Sequence, residues 1–342
     1  METKKLSIED FKPDSQPRWC AGCGNNVILS AIQKLLPDFG VPPEQYVFVS
    51  GIGCSSRFPY YIDTYGFHGL HGRAPAIATG IKLANPDLKV WVITGDGDAL
   101  GIGGNHFIHL LRRNPDMVVL LFNNRIYGLT KGQTSPTTGL GVCTKSSPQG
   151  SVDYPFNPVA LALGASGSFV ARVLYSDLSM MTRVFREAIA HKGTSFIEIY
   201  DNCKMFADDA FERFTEKETR DENKLPLEHG KALIFGKNKD KGLCFDGLVP
   251  KICEINSSQS SCKMGDIIVY DETNLQMARA IASLEEPDFP VPFGVFYKQE
   301  RKCFEEFFFP NDRKLVHKLP CTDGADERLR KLFAQGHTWK VD

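Results

Sequence analysis

Short apolar runs alternate with amphipathic stretches between about Cys20 and Tyr200. The apolar runs are five or six residues long and are bounded by turn residues, which predicts buried strands, whereas the intervening stretches have helical spacing. The predicted strands are YVFVS (46–50), KVWVIT (89–94), MVVLLF (117–122), SFVARV (168–173) and SFIEIY (195–200). The predicted helices lie near 25–36, 74–84, 103–113, 158–164 and 177–191. This alternation predicts an α/β fold, a mostly parallel open sheet with helices on both faces.

The pattern changes after about Phe211. Charged runs such as FERFTEKETRDENK (211–224) are followed by one short apolar run, DIIVYD (266–271), and by a helical stretch near 274–283. The strand and helix alternation is absent here, so the tail is interpreted as an extended appendage that covers the site or contacts a partner subunit. Three regions are therefore expected: a polar N-terminal arm (1–16), a main domain (17–210) and a C-terminal appendage (211–342).

Charge and composition narrow the classes of function. The 342 residues carry a net charge of −1, which gives no basis for binding nucleic acid or an anionic membrane. The N-terminus METKKLSIEDFKPDSQPRW is polar, and no later run approaches the length of a membrane span. A cytoplasmic protein is expected. In a reducing compartment the ten cysteines are not expected to form a disulfide framework, so some of them should bind metal or carry out redox chemistry.

Four predicted strands are followed directly by loops that carry chemically active residues. These loops are GIGCSSR (51–57), GDGDALG (95–101), NNRIYGL (123–129) and DNCKMF (201–206). In an open parallel sheet such loops all emerge at the carboxyl edge, where ligands bind. Cys54, Asp96, Asn124 and Cys203 should therefore cluster although they are far apart in sequence.

The acidic residues of GDGDALG need an explanation. A glycine-rich turn after a strand favours an anion such as phosphate, and the carboxylates of Asp96 and Asp98 oppose that. A divalent cation between carboxylate and phosphate removes the conflict, because hard cations take oxygen ligands from both. The residues between Gly97 and Asn123 suffice for one helix and one strand, which returns the chain to the same edge. A nicotinamide site is disfavoured, because its typical motif is G-x-G-x-x-G. Counted from Gly95 and from Gly101, the third glycine of that motif is replaced by Leu100 and His106, respectively.

The cysteines form a second pattern. Cys20 and Cys23 make a C-x-x-C, which is compatible with zinc, a redox pair or half of an iron-sulfur site. With Cys54 and Cys203, four thiolates could hold either zinc or a cluster. One close pair and two single cysteines at the cofactor edge suit an electron acceptor better than a zinc ribbon. The other cysteines are expected to be buried or surface thiols, with a minor second metal site as the alternative for three of them: Cys244, Cys253 and Cys262.

Taken together, the motifs resemble the β subunits of 2-oxoacid:ferredoxin oxidoreductases over residues 17–210 and into the tail. The motifs are WCAGCGN, GIGCSSR, HGLHGRAPAIATGIKLANP, GDGDALGIGGNHFIHLLRRN, NNRIYGLTKGQTSPTT, HKGTSFIEIYDNC and PVPFGVFY. The resemblance implies the thiamine-diphosphate-binding fold, with the cofactor held through Mg²⁺. The implied Mg²⁺ ligands are Asp96, Asn124 and the Ile126 carbonyl. The other implied cofactor-binding residues are Gly95, Gly97, Asp98, Cys54 and Ser55. The implied ligands of a 4Fe-4S cluster are Cys20, Cys23, Cys54 and Cys203.

The same resemblance implies partners and a reaction. A larger α subunit would complete the site, and a 2-oxoacid would be oxidatively decarboxylated with coenzyme A while electrons pass through the cluster to ferredoxin. Leu129 and Lys131 follow the asparagine pair and are expected to recognise substrate, and His71 is a further residue expected near the cofactor. A lysine there would pair with a second substrate carboxylate, which favours 2-oxoglutarate over pyruvate. The alternatives are a pyruvate or broad 2-oxoacid enzyme, a cluster-free thiamine enzyme and a zinc-stabilised interaction subunit.

Overall fold

The computed structural model describes residues 5–247, 249–255 and 263–308. Its strands are β1 Tyr46–Ser50, β2 Tyr65–His68, β3 Lys89–Gly95, β4 Met117–Asn123, β5 Ile126–Tyr127, β6 Gln133–Thr134, β7 Phe169–Leu174, β8 Thr194–Tyr200, β9 Lys224–Leu227, β10 Ile234–Phe235, β11 Lys241–Asp246, β12 Val249–Glu254 and β13 Val291–Lys298. Eight of them form one open sheet in the order β2-β1-β3-β4-β8-β7-β13-β9. The first six strands in that order are parallel, and β13 runs antiparallel to β7.

Helices cover both faces of this sheet. The α-helices are α1 Gly24–Leu35, α2 Ala74–Ala84, α3 Asp96–Leu100, α4 Gly104–Arg113, α5 Pro158–Gly164, α6 Leu178–Ala190, α7 Glu212–Thr215, α8 Arg220–Asn223, α9 Leu275–Ala282 and α10 Phe304–Phe308. Short 3-10 segments span Ile8–Phe11, Leu36–Phe39, Pro43–Gln45, Ser55–Tyr60 and Met264–Asp266. Within the described ranges, none of the helices is both long and apolar enough to cross a bilayer.

Alternate side chains of the strands supply two separate cores. On β1, Val47 and Val49 pack into the core that α2, α4, α5 and α9 share, whereas Phe48 packs into the core of α1 and α6. The central strand β4 is buried along its whole length. This burial explains its continuous apolar sequence, since a parallel strand covered on both faces has no solvent side. The predicted α/β fold is confirmed.

Part of the tail belongs to the main sheet. Strands β9 and β13 extend the sheet beyond β7, whereas the sequence pattern indicated no sheet strand after residue 210. The run DIIVYD, which has a strand composition, makes only one isolated bridge, between Val269 and Ala232. Its Tyr270 is buried instead, and the hydroxyl lies 2.6 Å from Val295 O and 2.7 Å from Phe296 O, so that it donates its single proton to one of these carbonyls at a time. This contact fastens the segment 266–271 to β13, the tail strand that pairs with β7 and shifts register there.

A three-stranded antiparallel sheet, β10-β11-β12, carries two of the tail cysteines, Cys244 and Cys253. Cys244 and Cys253 are joined by a disulfide, so the expectation that they are free thiols or metal ligands is wrong. The register pairs Gly242 with Cys253 and Cys244 with Lys251, which places the two cysteines diagonally on neighbouring strands and within bonding reach. Cys262, the third member of that predicted group, and Cys321 lie outside the described residues.

Tyr270→Phe tests how firmly the tail is fastened to the sheet. The substitution removes the hydroxyl that donates to one or other of two backbone carbonyls of β13, so we expect the free energy of unfolding to fall by about 1–3 kcal/mol. Chemical denaturation measures this, with Tyr60→Phe as the control because Tyr60 is exposed. Equal stability of wild type and Tyr270→Phe would show that the tyrosine contributes nothing to the docking.

Candidate functional site

The site lies at the carboxyl edge of the sheet, where β1, β3, β4 and β8 are adjacent and parallel. The loops that follow these strands are 51–57, 95–101, 123–129 and 201–206. Hydrogen bonds join the neighbouring loops directly. The Ile52 amide donates to Asp98 Oδ1 at 3.0 Å, and the Tyr127 hydroxyl donates to Gly97 O at 2.9 Å. The four loops therefore converge as the strand pattern predicted.

Asp96 is the first residue of α3 and its carboxyl is buried. Two hydroxyls donate to the same oxygen, Oδ2: Ser135 Oγ at 2.6 Å and Thr137 Oγ1 at 2.7 Å. Burial raises the pKa of Asp96 to about 6, while the two hydroxyl hydrogen bonds act in the opposite direction and favour the ionised form. A buried carboxylate of this kind is stabilised by a bound cation.

Asp98 has a different environment, although it is only two residues away. Its Oδ1 accepts from the amides of Ile52 and Gly72, the latter at 2.8 Å, and its Oδ2 accepts from Thr94 Oγ1 at 2.7 Å. The Nδ1 atom of His71 lies 2.6 Å from Oδ1. The carboxylate thus ties together β3 and the loops that follow β1 and β2. All these contacts of Asp98 are with other residues of the chain. They do not test its predicted place beside the cofactor, which stays a prediction.

The glycines of GDGDALG have specific neighbours. A Cβ on Gly97 would lie 2.2 Å from Cε1 of Tyr127, so the ring of that tyrosine requires glycine there. A Cβ on Gly95 would lie 3.3 Å from Ser55 Oγ. The Ser55 hydroxyl is therefore beside the β3 terminus, where the predicted cofactor-binding residues Gly95 and Asp96 begin the loop.

The two asparagines at the end of β4 make different contacts. Asn124 is half-buried, and its Oδ1 accepts from the Ile126 amide at 3.2 Å in a local turn. Asn123 is buried, and its Nδ2 donates to Glu198 Oε1 at 2.7 Å while its Oδ1 faces Thr137 Oγ1 at 2.9 Å. Sequence reasoning missed Asn123, Ser135 and Thr137. The hydroxyl-rich run TSPTT (134–138) is the signal that could have indicated the last two.

The predicted cysteines are free thiols drawn from three segments: Cys20, Cys23, Cys54 and Cys203. A Cβ on Gly128 would lie 3.2 Å from the sulfur of Cys203 and 3.7 Å from that of Cys54, so both sulfurs border this glycine. The C-x-x-C segment is tied to the Cys203 loop by Asn202, which accepts from the Gly24 amide at 2.9 Å and donates to Gly22 O at 3.3 Å.

The thiols share an electrostatic environment. Burial raises the pKa of Cys23 to about 12 and that of Cys54 to about 11, and the other cysteines and Asp201 act in the same direction. Such thiols become thiolates when positively charged metal binds. Among the residues that the structure describes, no three His, Cys, Asp or Glu side chains meet the geometry for a metal ion. The four-cysteine ligand set therefore stays a prediction.

The predicted substrate residues lie on a tight turn beside the cysteines. Leu129 and Lys131 are exposed, and the Lys131 amide donates to Gly128 O at 3.0 Å. Lys131 has φ +74°, in the left-handed region. The turn begins at Gly128, so these side chains are one and three residues from the glycine that borders Cys54 and Cys203.

Comparison with known proteins identifies the family. Residues 51–199 match the family model described as thiamine pyrophosphate enzyme, C-terminal TPP binding domain. The chain is 52% identical to the 2-oxoglutarate oxidoreductase subunit KorB of Mycobacterium tuberculosis, over 98% of this chain and 88% of that protein. It belongs to the family of 2-oxoacid:ferredoxin oxidoreductase β subunits. The resemblance drawn from the motifs is confirmed.

A second relative and a solved structure bear on the fold and the substrate. The β subunit of the Saccharolobus solfataricus 2-oxoacid:ferredoxin oxidoreductase is 48% identical over 56% of this chain and 63% of that protein. A solved structure, 2-oxoglutarate:ferredoxin oxidoreductase from Magnetococcus marinus with 2-oxoglutarate, coenzyme A and succinyl-CoA bound, superimposes with a TM-score of 0.71. It is 28% identical and covers 97% of each chain. As a β subunit of a multi-subunit oxidoreductase, this chain acts with a partner subunit.

The raised pKa of Asp96 predicts a pH dependence of stability. Because the folded chain holds this proton more tightly than the unfolded chain, whose pKa is 3.8, stability falls as pH rises from about 4 through about 6. We expect the free energy of unfolding of the metal-free chain to lose of order 3 kcal/mol over this interval relative to Asp96→Asn. Urea unfolding at pH 4 and pH 7 measures the difference. The exposed Asp63→Asn is the control, and the same pH dependence in Asp96→Asn and wild type would refute the assignment.

Proposed function

We propose that the chain is the cofactor-binding β subunit of a 2-oxoglutarate:ferredoxin oxidoreductase. The reaction converts 2-oxoglutarate and coenzyme A into succinyl-CoA and carbon dioxide and passes two electrons, one at a time, to ferredoxin. One observation carries the proposal: a buried carboxylate, Asp96, and two free thiols, Cys54 and Cys203, are presented by loops at the same edge of the sheet. A cation site and an electron-transfer site are thereby close together.

Asp96, Asn124 and the Ile126 carbonyl are the proposed ligands of Mg²⁺. The set fits the ion, since all three are oxygen donors and the buried Asp96 gains a positive partner. Gly95, Gly97 and Ser55 would lie along the diphosphate, where the absence of a side chain on the glycines lets the backbone come close. Bound thiamine diphosphate would supply the carbanion chemistry that releases carbon dioxide from a 2-oxoacid. The role of this chain is to hold and orient it.

The four thiols Cys20, Cys23, Cys54 and Cys203 are the proposed ligands of a 4Fe-4S cluster. Asn202 ties the C-x-x-C segment to the loop of Cys203, and the indole N–H of Trp19 donates to Cys54 O at 2.7 Å. These hydrogen bonds hold the separate thiol segments next to one another. The loop after β4 borders both the cysteines and the proposed Mg²⁺ site, which favours direct electron transfer between the cofactor and the cluster.

The substrate is proposed from the relatives and from one side chain. The Mycobacterium tuberculosis relative and the Magnetococcus marinus structure both carry 2-oxoglutarate in their names. Lys131 is exposed on the turn beside the site, where its ammonium can pair with the second carboxylate of a dicarboxylic 2-oxoacid. Leu129, on the same turn, would contact the carbon chain. The 2-oxoacid name of the Saccharolobus solfataricus relative favours a broad 2-oxoacid enzyme as the second candidate.

Replacing the single cysteines tests the cluster. In the complex with the α subunit, we expect Cys54→Ser and Cys203→Ser to lose most of the iron, the sulfide and the cluster absorbance, because serine is a poor ligand for a 4Fe-4S cluster. Cys143→Ser is the matched control, since Cys143 is also a free thiol. Iron, sulfide, zinc and thiamine are measured in each purified complex. Unchanged iron in both variants, or zinc in place of iron in the wild type, would contradict the proposal.

Lys131→Ala tests the substrate. Loss of a charge-assisted contact should lower kcat/KM for 2-oxoglutarate by about 10- to 100-fold, and should lower kcat/KM for pyruvate much less. Lys145→Ala is the control, because Lys145 is another exposed lysine on the adjoining loop. An equal loss on both substrates would make Lys131 a general residue of the site and would remove it as a determinant of specificity.

A further inference from the structure

A continuous chain of buried polar side chains lies behind Asp96. The Thr137 hydroxyl is placed between two acceptors, Asp96 Oδ2 at 2.7 Å and Asn123 Oδ1 at 2.9 Å. With a single proton it donates to one of them at a time, and an ionised carboxylate is the stronger acceptor. Ser135 Oγ donates to the same Asp96 oxygen at 2.6 Å. Asp96, Thr137, Asn123 and Ser135 are each no more than 5% exposed.

The orientation of Asn123 is fixed from the other side. Its Nδ2 donates to Glu198 Oε1 at 2.7 Å, so its oxygen must face Thr137 and the Arg125 amide. Glu198 in turn accepts from Arg172 Nε at 2.7 Å through its other oxygen. This ion pair is buried, and each partner neutralises the other. The polar chain therefore connects β3, β4, β8 and β7 in order.

The C-terminal tail holds the far end of the chain. The Arg172 guanidinium stacks over two rings, at 5.0 Å from the centroid of Tyr200 and 5.4 Å from that of Phe296 on β13. Its Nη2 donates to Asn157 Oδ1 at 3.3 Å, and Asn157 Nδ2 donates to Ala282 O at the end of α9 at 2.7 Å. Residues far beyond 210 thus contact the group on which the orientation of Asn123 depends.

We propose that Ser135 and Thr137 are positioning residues that hold the Asp96 carboxylate in the conformation that binds Mg²⁺, and that the tail stabilises this arrangement through Phe296 and Arg172. The inference rests on the proposed function, because it assigns the metal to Asp96. Two hydroxyl donors to one oxygen restrict the rotation of the carboxylate and leave its other oxygen, Oδ1, without a contact to either hydroxyl. Loss of an outer-shell partner of this kind typically weakens metal binding by about 10- to 100-fold.

The test uses the complex of this chain with the α subunit, from which Mg²⁺ and thiamine diphosphate have first been removed. Binding of Mg²⁺ is then measured by calorimetry at saturating thiamine diphosphate. Thr137→Val keeps the side-chain shape without the hydroxyl, and we expect Kd for Mg²⁺ to rise by about 10- to 100-fold. Thr137→Ser restores the hydroxyl and should return Kd to within about 3-fold of wild type. Thr194→Val is the matched control. Thr194 is also a buried hydroxyl, but it donates to Pro115 O at the opposite edge of the sheet.

The tail is tested by Phe296→Leu, with Phe196→Leu as the control. Both phenylalanines are fully buried in the same hydrophobic core, but Phe196 packs against Phe107 and makes no cation-π contact with Arg172. We expect the two variants to lose similar stability, and only Phe296→Leu to raise Kd for Mg²⁺, by about 3-fold or more. An equal Kd in the two variants would overturn the role of the tail.

The outcomes separate this inference from the proposed function. A wild-type complex that binds no thiamine diphosphate in a Mg²⁺-dependent manner would reject the proposed function itself. Wild-type binding with an unchanged Kd in Thr137→Val would reject the positioning role and leave the proposed function standing. An equal rise of Kd in Thr137→Val and Thr194→Val would show that loss of any buried hydroxyl weakens Mg²⁺ binding through lower stability. That result would also reject the inference.

Discussion

The arrangement of the site depends on the burial of two carboxylates, two residues apart, at the end of one central strand. A buried anion is strongly unfavourable unless it is surrounded by donors or paired with a cation. Asp98 is satisfied by backbone amides, a hydroxyl and a histidine from the surrounding segments. Asp96 receives two hydroxyl hydrogen bonds, and its burial raises its pKa, so an unpaired anion is less favourable there than in water. Asp98 joins the loops to one another, and Asp96 is the carboxylate that we propose to bind Mg²⁺.

The sequence was sufficient to predict which loops meet, but not how their side chains interact. Convergence follows from the α/β pattern, because parallel strands end at the same edge whatever their separation in sequence. The resemblance gave Asp96 and Asp98 different expected roles, but the contacts that distinguish them could not be predicted, since both follow the same strand and most of their partners lie 26 to 46 positions away. Ser135 and Thr137 were missed because hydroxyl residues in a loop have no periodicity that reveals a buried partner.

The tail was the least predictable part. Strand β13 contains Pro292 and follows a proline-rich segment. Because proline is rare inside interior strands, the sequence did not indicate that this segment pairs with two other strands of the sheet. The strand-like run 266–271 instead provides Tyr270 as a hydrogen-bond donor to β13. The disulfide between Cys244 and Cys253 was unexpected because the pairing depends on the register of β11 and β12, and sequence spacing does not reveal that register.

Gly128 lies at the junction of two parts of the site. It borders the sulfurs of Cys54 and Cys203, and it is also the residue from which the turn of Leu129 and Lys131 starts. A larger residue at 128 would push against the cysteine sulfurs, and a change in the length of the turn would move the glycine away from them. Substitution of the exposed side chains at 129 and 131 leaves Gly128 where it is, whereas an insertion or deletion in this turn would disturb the surroundings of the two sulfurs. The surface of this turn can therefore vary by substitution far more readily than by a change of its length.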